Sequence, residues 1–214
     1  MSKSNSSEGG FTGKMGGTVV YKLNNKWVKR SIGQVTKPPT IAQLACREKM
    51  RLVNTCLKPV KDLLRVGFEL SKHAKEISAY HLACSYNLSH AITGEYPELR
   101  IDYPKVLFAK GSMPVVTGCQ AELDSKGIRF SWDVTEDSRL TRWNDQVLVI
   151  AYLPEDMDAR FQICVAARKE GEAFLPLPKY KIPVVLETYL SFVSANKKLT
   201  SNSVYTGQLI WSKK

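Results

Sequence analysis

The sequence predicts an α+β chain, with an N-terminal β-hairpin and a three-helix region followed by a C-terminal seven-stranded antiparallel β-sandwich. Three observations predict this. Residues 18–30 are β-rich and broken by Asn24-Asn25. Residues 41–92 repeat apolar side chains at helical spacing. From Val115 to Trp211, short β-rich runs recur between turn residues at the spacing of a sandwich. The expected layout is a flexible Gly/Ser-rich leader over 1–17, a basic hairpin and helical domain over 18–105, and a β-sandwich domain over 106–214.

Each element has a local reason. Gly9 to Gly17 holds five glycines in nine residues, which reads as flexible chain or unusual backbone angles. Thr18–Leu23 and Lys26–Arg30 flank two asparagines, which tolerate positive φ and suit a two-residue turn. A lone hairpin is marginal in water, so this one must pack on something. Pro38-Pro39 bars any earlier helix, and Thr40 with Gln43 has capping-box spacing. The first helix then runs from Ile41 to Leu57. Ala42, Cys46, Met50, Val53 and Leu57 form its apolar stripe, with Arg47, Arg51, Asn54 and Lys58 beside it. Pro59 forces a kink or a new start. Val60, Leu63, Leu64 and Phe68 mark a second helix. A third, from Ile77 to Ile92, presents Ile77, Tyr80, Cys84, Leu88 and Ala91, and Gly94 stands where a left-handed cap belongs. Val106–Ala109 reads as a strand. The sandwich runs are Val115–Ala121, Gly127–Trp132, Gln146–Leu153, Arg160–Ala166, Glu172–Leu177, Val184–Val193 and Ser203–Trp211. Ile128, Phe130 and Trp132 alternate inward with Arg129 and Ser131 outward.

Composition narrows the function classes. The 214 residues carry a net charge of +11, and 43% are hydrophobic, as expected of a globular chain. The first 66 residues hold 13 Lys+Arg against 3 Asp+Glu, whereas residues 101–214 hold 15 against 13, so the excess lies at the start. No run reaches the ~20 apolar residues of a membrane span, and the polar N-terminus is no secretory signal. Five cysteines, an odd number with no CxxC pair, argue for buried free thiols in a reducing compartment and hence for a cytoplasmic protein. Export by other machinery, or a place in a phage-like particle, is left open.

The order of the C-terminal runs resembles a fibronectin type III or similar immunoglobulin-like sandwich. Lys126–Asp133 resembles its second strand with Trp132 as the core tryptophan. Gln146–Tyr152 resembles the third strand, and Tyr189–Ala195 with Ser201–Tyr205 the last two. That fold serves many unrelated binding modules and implies no reaction. The whole chain also resembles a family of Bacteroidota proteins that carries only a domain-of-unknown-function label. The resemblance rests on Gly9-Gly-Phe-Thr-Gly-Lys14, Thr40-x-x-Gln43-x-x-x-Arg47, Ser85-Tyr-Asn-Leu88, Ile101-Asp-Tyr103, Val106-Leu107, Gly111-Ser112 and Asn202-Ser-Val-Tyr205. It implies the domain layout and supplies no active site.

Chemistry-bearing residues are sparse. His73, His81 and His90 are spaced so that the last two point to opposite sides of one helix, which opposes a metal site. His81 and Cys84 share a helix face, yet Cys84 also lies in the apolar stripe, so a structural thiol is expected. Glu155-Asp-Met-Asp158 lacks the glycine and downstream glutamate of a calcium loop and reads as a solvated turn. No catalytic residue, metal or cofactor is expected. The remaining feature is the basic region: Lys22, Lys26, Trp27, Lys29 and Arg30 on the hairpin, and Arg47, Lys49, Arg51 and Lys58 on the first helix. The expected function is a non-enzymatic structural or interaction protein. It would assemble with itself or another protein through the Gly-rich and hairpin region, without membrane contact. The rival expectation is a nucleic-acid-binding protein that uses the nine residues just named for phosphate contact and stacking.

Overall fold

In the structure, a computed structural model, Asn24 and Asn25 adopt φ of 46° and 62°, the double left-handed geometry of a two-residue hairpin turn. The structure describes residues 3–4, 11–34, 36–68, 77–134 and 140–212. The turn joins β3 (Thr18–Leu23) to β4 (Lys26–Ser31), and their ladder runs without a shift from Leu23–Lys26 to Thr18–Ser31. The stretch read as a leader contains more than flexible chain. Phe11–Met15 forms β2, which turns through Gly16, at φ 56°, and Gly17 and pairs with β3. A two-residue β1 (Lys3–Ser4) pairs with β2. This sheet belongs to a compact unit of residues 1–40; residues 41–214 make a second unit.

The second unit begins with α1 (Ile41–Leu57), the span that its periodicity predicts. Lys58–Val60 tightens into a 3₁₀ turn at Pro59, and α2 (Lys61–Gly67) follows. The third helix is shorter than expected. Ser78 accepts the His81 amide and starts α3 (Ala79–His90). Its inward face also differs: Ala79, Ala83, Cys84 and Asn87 are buried, whereas Ile77 is exposed. Small residues and an asparagine let α3 approach its neighbours closely. Ala91, not Gly94, closes the helix, through its N–H to the Asn87 carbonyl. Gly94, at φ 85°, serves the loop between β5 (Ile92–Thr93) and β6 (Arg100–Ile101).

Two antiparallel sheets follow. β7 (Gln120–Asp124), β8 (Gly127–Ser131) and β11 (Glu172–Pro176) are ordered β11-β8-β7. β9 (Gln146–Leu153), β10 (Asp158–Ala167), β12 (Val184–Val193) and β13 (Val204–Trp211) are ordered β10-β9-β12-β13. One core lies between them, with Ile128, Phe130, Trp132, Val149, Leu186 and Phe192. Near it Arg168 and Asp145 form a buried ion pair at 3.3 Å, and the guanidinium lies 4.2 Å from the Phe192 ring. Burial lowers the Arg168 pKa, and Asp145 opposes that shift. A second core joins α1, α2 and α3 to the far face of the larger sheet, through Leu57, Leu63, Phe68, Ile150, Tyr152 and Tyr189. The helices thus form a third layer, and β9 and β12 are buried on both faces.

Val106–Ala109 is buried but is not a strand. Its backbone groups find partners in several elements. The Leu107 amide donates to Asn87 Oδ1 at 2.9 Å, and Asn87 Nδ2 donates to the Leu107 carbonyl at 3.0 Å. Phe108 N–H donates to Ser203 Oγ at 3.0 Å, and Ser203 N–H to the Ala109 carbonyl at 3.0 Å. Lys110 N–H donates to the Gly67 carbonyl, and Gly111 N–H to Asn202 Oδ1. A Cβ on Gly111 would lie 2.0 Å from the Thr200 carbonyl oxygen, so only glycine fits that approach. An extended buried segment must satisfy every amide, and here side chains replace a ladder. Replacing Asn87 with leucine leaves the Leu107 amide and carbonyl unpaired, at about 1–3 kcal/mol for each group. Urea unfolding of Asn87→Leu should therefore show a large fall in midpoint, and a midpoint equal to the parent would remove the role assigned to Asn87.

Candidate basic interface

The hairpin places its basic residues on both faces of the first unit's sheet. Cross-strand partners share a face, so the register puts Lys22, Trp27 and Lys29 on one side. Lys26, Arg30 and Tyr21 lie on the other, and the β2 register adds Lys14 through its pairing with Val19. The sequence reading missed Lys14. The signal was Gly16-Gly17 between two β-rich runs, which is itself a two-residue turn pattern. Lys22 Nζ lies 6.0 Å from the Trp27 ring centre, and Arg30 Cζ lies 5.9 Å from that of Tyr21. The cations therefore sit near the aromatic rings while Trp27 remains 48% exposed. No described side chain of residues 11–34 is buried, and Met15, Leu23 and Ile32 are exposed, as Trp27 is.

The helix residues belong to the second unit. Arg47, Lys49 and Arg51 are exposed on α1, where Ala42, Cys46 and Met50 of the expected apolar stripe are exposed as well. The stripe becomes buried only at Val53 and Leu57, and Cys56, outside it, is buried with them. Arg51 is engaged by Glu48 through two hydrogen bonds of 2.6 and 2.9 Å, which hold the Glu48 carboxyl below its ordinary value. Asn54 leaves the polar stripe altogether and accepts the Tyr80 hydroxyl at 3.0 Å. Lys58 lines an open cavity of about 370 Å³ with Lys61, Ser78, Tyr80 and His81. Ser78 Oγ there already caps α3 and meets His81 Nδ1 at 2.9 Å.

The other candidate groups are accounted for by local structure. His90 stacks on Tyr86 at 4.2 Å, and His73 lies outside the described residues. Among the described residues no three His, Cys, Asp or Glu side chains gather as a metal site. Asp158 pairs with Arg160 at 2.8 Å beside the β9–β10 turn. Of the five free cysteines, Cys56 and Cys84 are buried and Cys46 and Cys164 are exposed, which corrects the expectation that nearly all would be buried. Burial pushes the Cys84 thiol up, and it donates to Asn54 Oδ1 at 3.7 Å. No helix among the described residues is long and apolar enough to cross a membrane.

Several of the residues that carried the family resemblance, those from Ser85 onward, converge within the second unit. Asn87, Leu107, Gly111, Asn202 and Ser203 form the backbone clasp described above. Tyr103 accepts the Tyr189 hydroxyl at its carbonyl, and Tyr205 donates to the buried Glu187 at 2.6 Å. They are structural in this geometry, an α+β protein whose sandwich is backed by helices. Residues 10–207 match the family of unknown function DUF6266, and the chain belongs to that family. No curated protein and no solved structure matches it.

The core beneath the helices is rich in groups that ionise at high pH. Burial pushes the Cys56 thiol up from 9.0 to about 12, partly offset by a hydrogen bond with Tyr152. Burial first, then neighbouring Cys56 and Glu187, pushes Tyr103 up from 10.0 to about 12. Tyr152 and Tyr189 are also raised, again chiefly by burial. A folded value above the unfolded one means that the unfolded chain ionises first as pH rises. The stabilisation is complete below pH 9 and is lost from there towards 12, at about 1.4 kcal/mol per pH unit for a fully buried group. Urea midpoints should be level from pH 7 to 8.5 and then fall, and Cys56→Ala should make that fall shallower, while Cys84 and Cys119, also raised by burial, keep its onset near pH 9. A level midpoint to pH 11 would contradict this.

Proposed function

We propose that this protein is a non-enzymatic interaction protein whose N-terminal sheet, residues 11–31, docks on another protein chain. The carrying observation is that this sheet has no buried side chain on either face. Three short strands need a covered apolar face for independent stability. Here Trp27, Leu23 and Met15 are exposed instead, which supports a partner as the missing cover. The second unit serves as the rigid body that carries this sheet. We read it as a seven-stranded, fibronectin type III-like sandwich. The three-strand order β11-β8-β7 against the four-strand order β10-β9-β12-β13, and Trp132 packed edge-on to Phe192 at 5.3 Å, support that reading.

The nucleic-acid reading keeps one specific observation. Residues 11–34 hold five Lys or Arg and no Asp or Glu, so whatever covers this sheet is anionic where it meets them. Against it, the cations divide between two faces, and Arg51 is paired with Glu48. Light scattering with simultaneous absorbance at 260 and 280 nm separates the two. The full chain should assemble with itself or with a co-purifying protein, free of nucleic acid, and a chain starting at Pro38 should be monomeric. Monomers from both chains at high concentration would refute the proposal, and a nucleic-acid absorbance ratio lost on truncation would favour the rival.

A further inference from the structure

We propose, resting on the interaction reading above, that the free edge of β4 binds an acidic extended strand of another protein and disfavours a second copy of itself. Ile32 N–H donates to the Gly17 carbonyl at 2.8 Å. Hydrogen-bonded pairs alternate along an antiparallel ladder, so Arg30, Val28 and Lys26 also direct their backbone groups towards β3. The N–H and C=O groups of Trp27, Lys29 and Ser31 point the other way, along an edge that no described strand occupies.

Three other edge strands, β10, β13 and β11, are interrupted, whereas β7, one residue shorter than β4, is not and carries Glu122 and Asp124 in place of cations. β10 shifts register between Ile163 and Ala167, with Cys164 at φ 60°. The β12–β13 ladder shifts at Thr188–Tyr189, opposite Gly207 at φ 114°. β11 ends in Pro176, which has no N–H. Bulges and prolines of this kind discourage strand addition. β4 has neither, and its six residues pair with β3 without a shift.

What protects the β4 edge is charge, and charge is selective. Lys26, Lys29 and Arg30 flank it. A second β4 laid against it would set these cations beside their own copies, which is destabilising. A partner strand fits best with acidic residues opposite Lys26 and Arg30 on one face. Opposite the other face it needs an acidic residue at Lys29 and an apolar one at Trp27. Main-chain bonds would supply affinity, and the charges would supply selection.

The test uses the full chain and capped heptapeptides in calorimetry. The sequence Thr-Glu-Glu-Val-Leu-Glu-Thr should bind, and its counterpart with lysine in place of each glutamate should bind at least tenfold more weakly. N-methylation of its alternate amides should cost at least tenfold. Ser31→Pro removes an outward N–H without changing charge and should cost at least fivefold; Lys29→Glu should cost at least as much. Absence of binding overturns the inference. Equal binding of the N-methylated peptide does so too, because the contact is then ionic and not a strand pairing. A peptide copying residues 26–31 that binds as well as the acidic one, or a single-stranded oligonucleotide that displaces the acidic peptide, likewise overturns it. If the acidic peptide fails while the full chain assembles and the Pro38 chain does not, this inference falls and the interaction reading stands.

Discussion

The second unit depends on one side-chain fork, the pair of hydrogen bonds exchanged between the Asn87 side chain and the backbone of Leu107. The chain must pass from the helices to the first sandwich strand through a dry region, because Phe108 and Ala109 are fully buried. A buried extended segment without a ladder would strand its amides at a cost of a few kcal/mol each. Asn87, Ser203, Asn202 and the Gly67 carbonyl divide that work among them. They come from three separate places along the sequence, Asn202 and Ser203 being neighbours. The same bonds that satisfy the segment therefore fasten α3, α2 and the start of β13 to one another.

The consequence is a sheet covered on two sides. β9 and β12 bury side chains towards the smaller sheet and also towards the helices. Tyr189 stacks edge-on with Phe108 at 4.7 Å and donates to the Tyr103 carbonyl at 2.8 Å, so helix-side packing continues into the linker. Separating the helices from the sandwich would expose Ile150, Tyr152 and Tyr189 together. At about 25 cal/mol per Å² of apolar area, that exposure would be a large fraction of a domain's net stability.

Local elements were legible in the sequence because local chemistry decides them. Asn24-Asn25, Pro59 and the 41–57 periodicity each act within a few residues, and the structure follows them closely. The layering was harder to read, yet it left a trace. Gln146–Leu153 is a nearly unbroken apolar run, as a strand buried on both faces requires, whereas Gly127–Ser131 alternates as a strand buried on one face does. The Val106–Ala109 error has the same origin. Burial was evident from composition, but the hydrogen-bond partners lie 20 and 95 residues away and leave no periodicity. The basic character of the N-terminal sheet and α1 was legible as a charge excess. Its division between two faces and the engagement of Arg51 by Glu48 follow from register and side-chain geometry, which composition does not encode.

With α1–α3 and the smaller sheet packed on opposite faces of β9 and β12, the helices and both sheets should unfold as one cooperative body tied through Leu107. Native-state hydrogen exchange of the full chain tests it most directly. The amide of Leu107, those of α3 and those of β9 and β12 should exchange only through global unfolding, with one common opening free energy and one denaturant dependence. Exchange of the α1–α3 amides at a much lower free energy than β9, with Leu107 following neither group, would contradict the account.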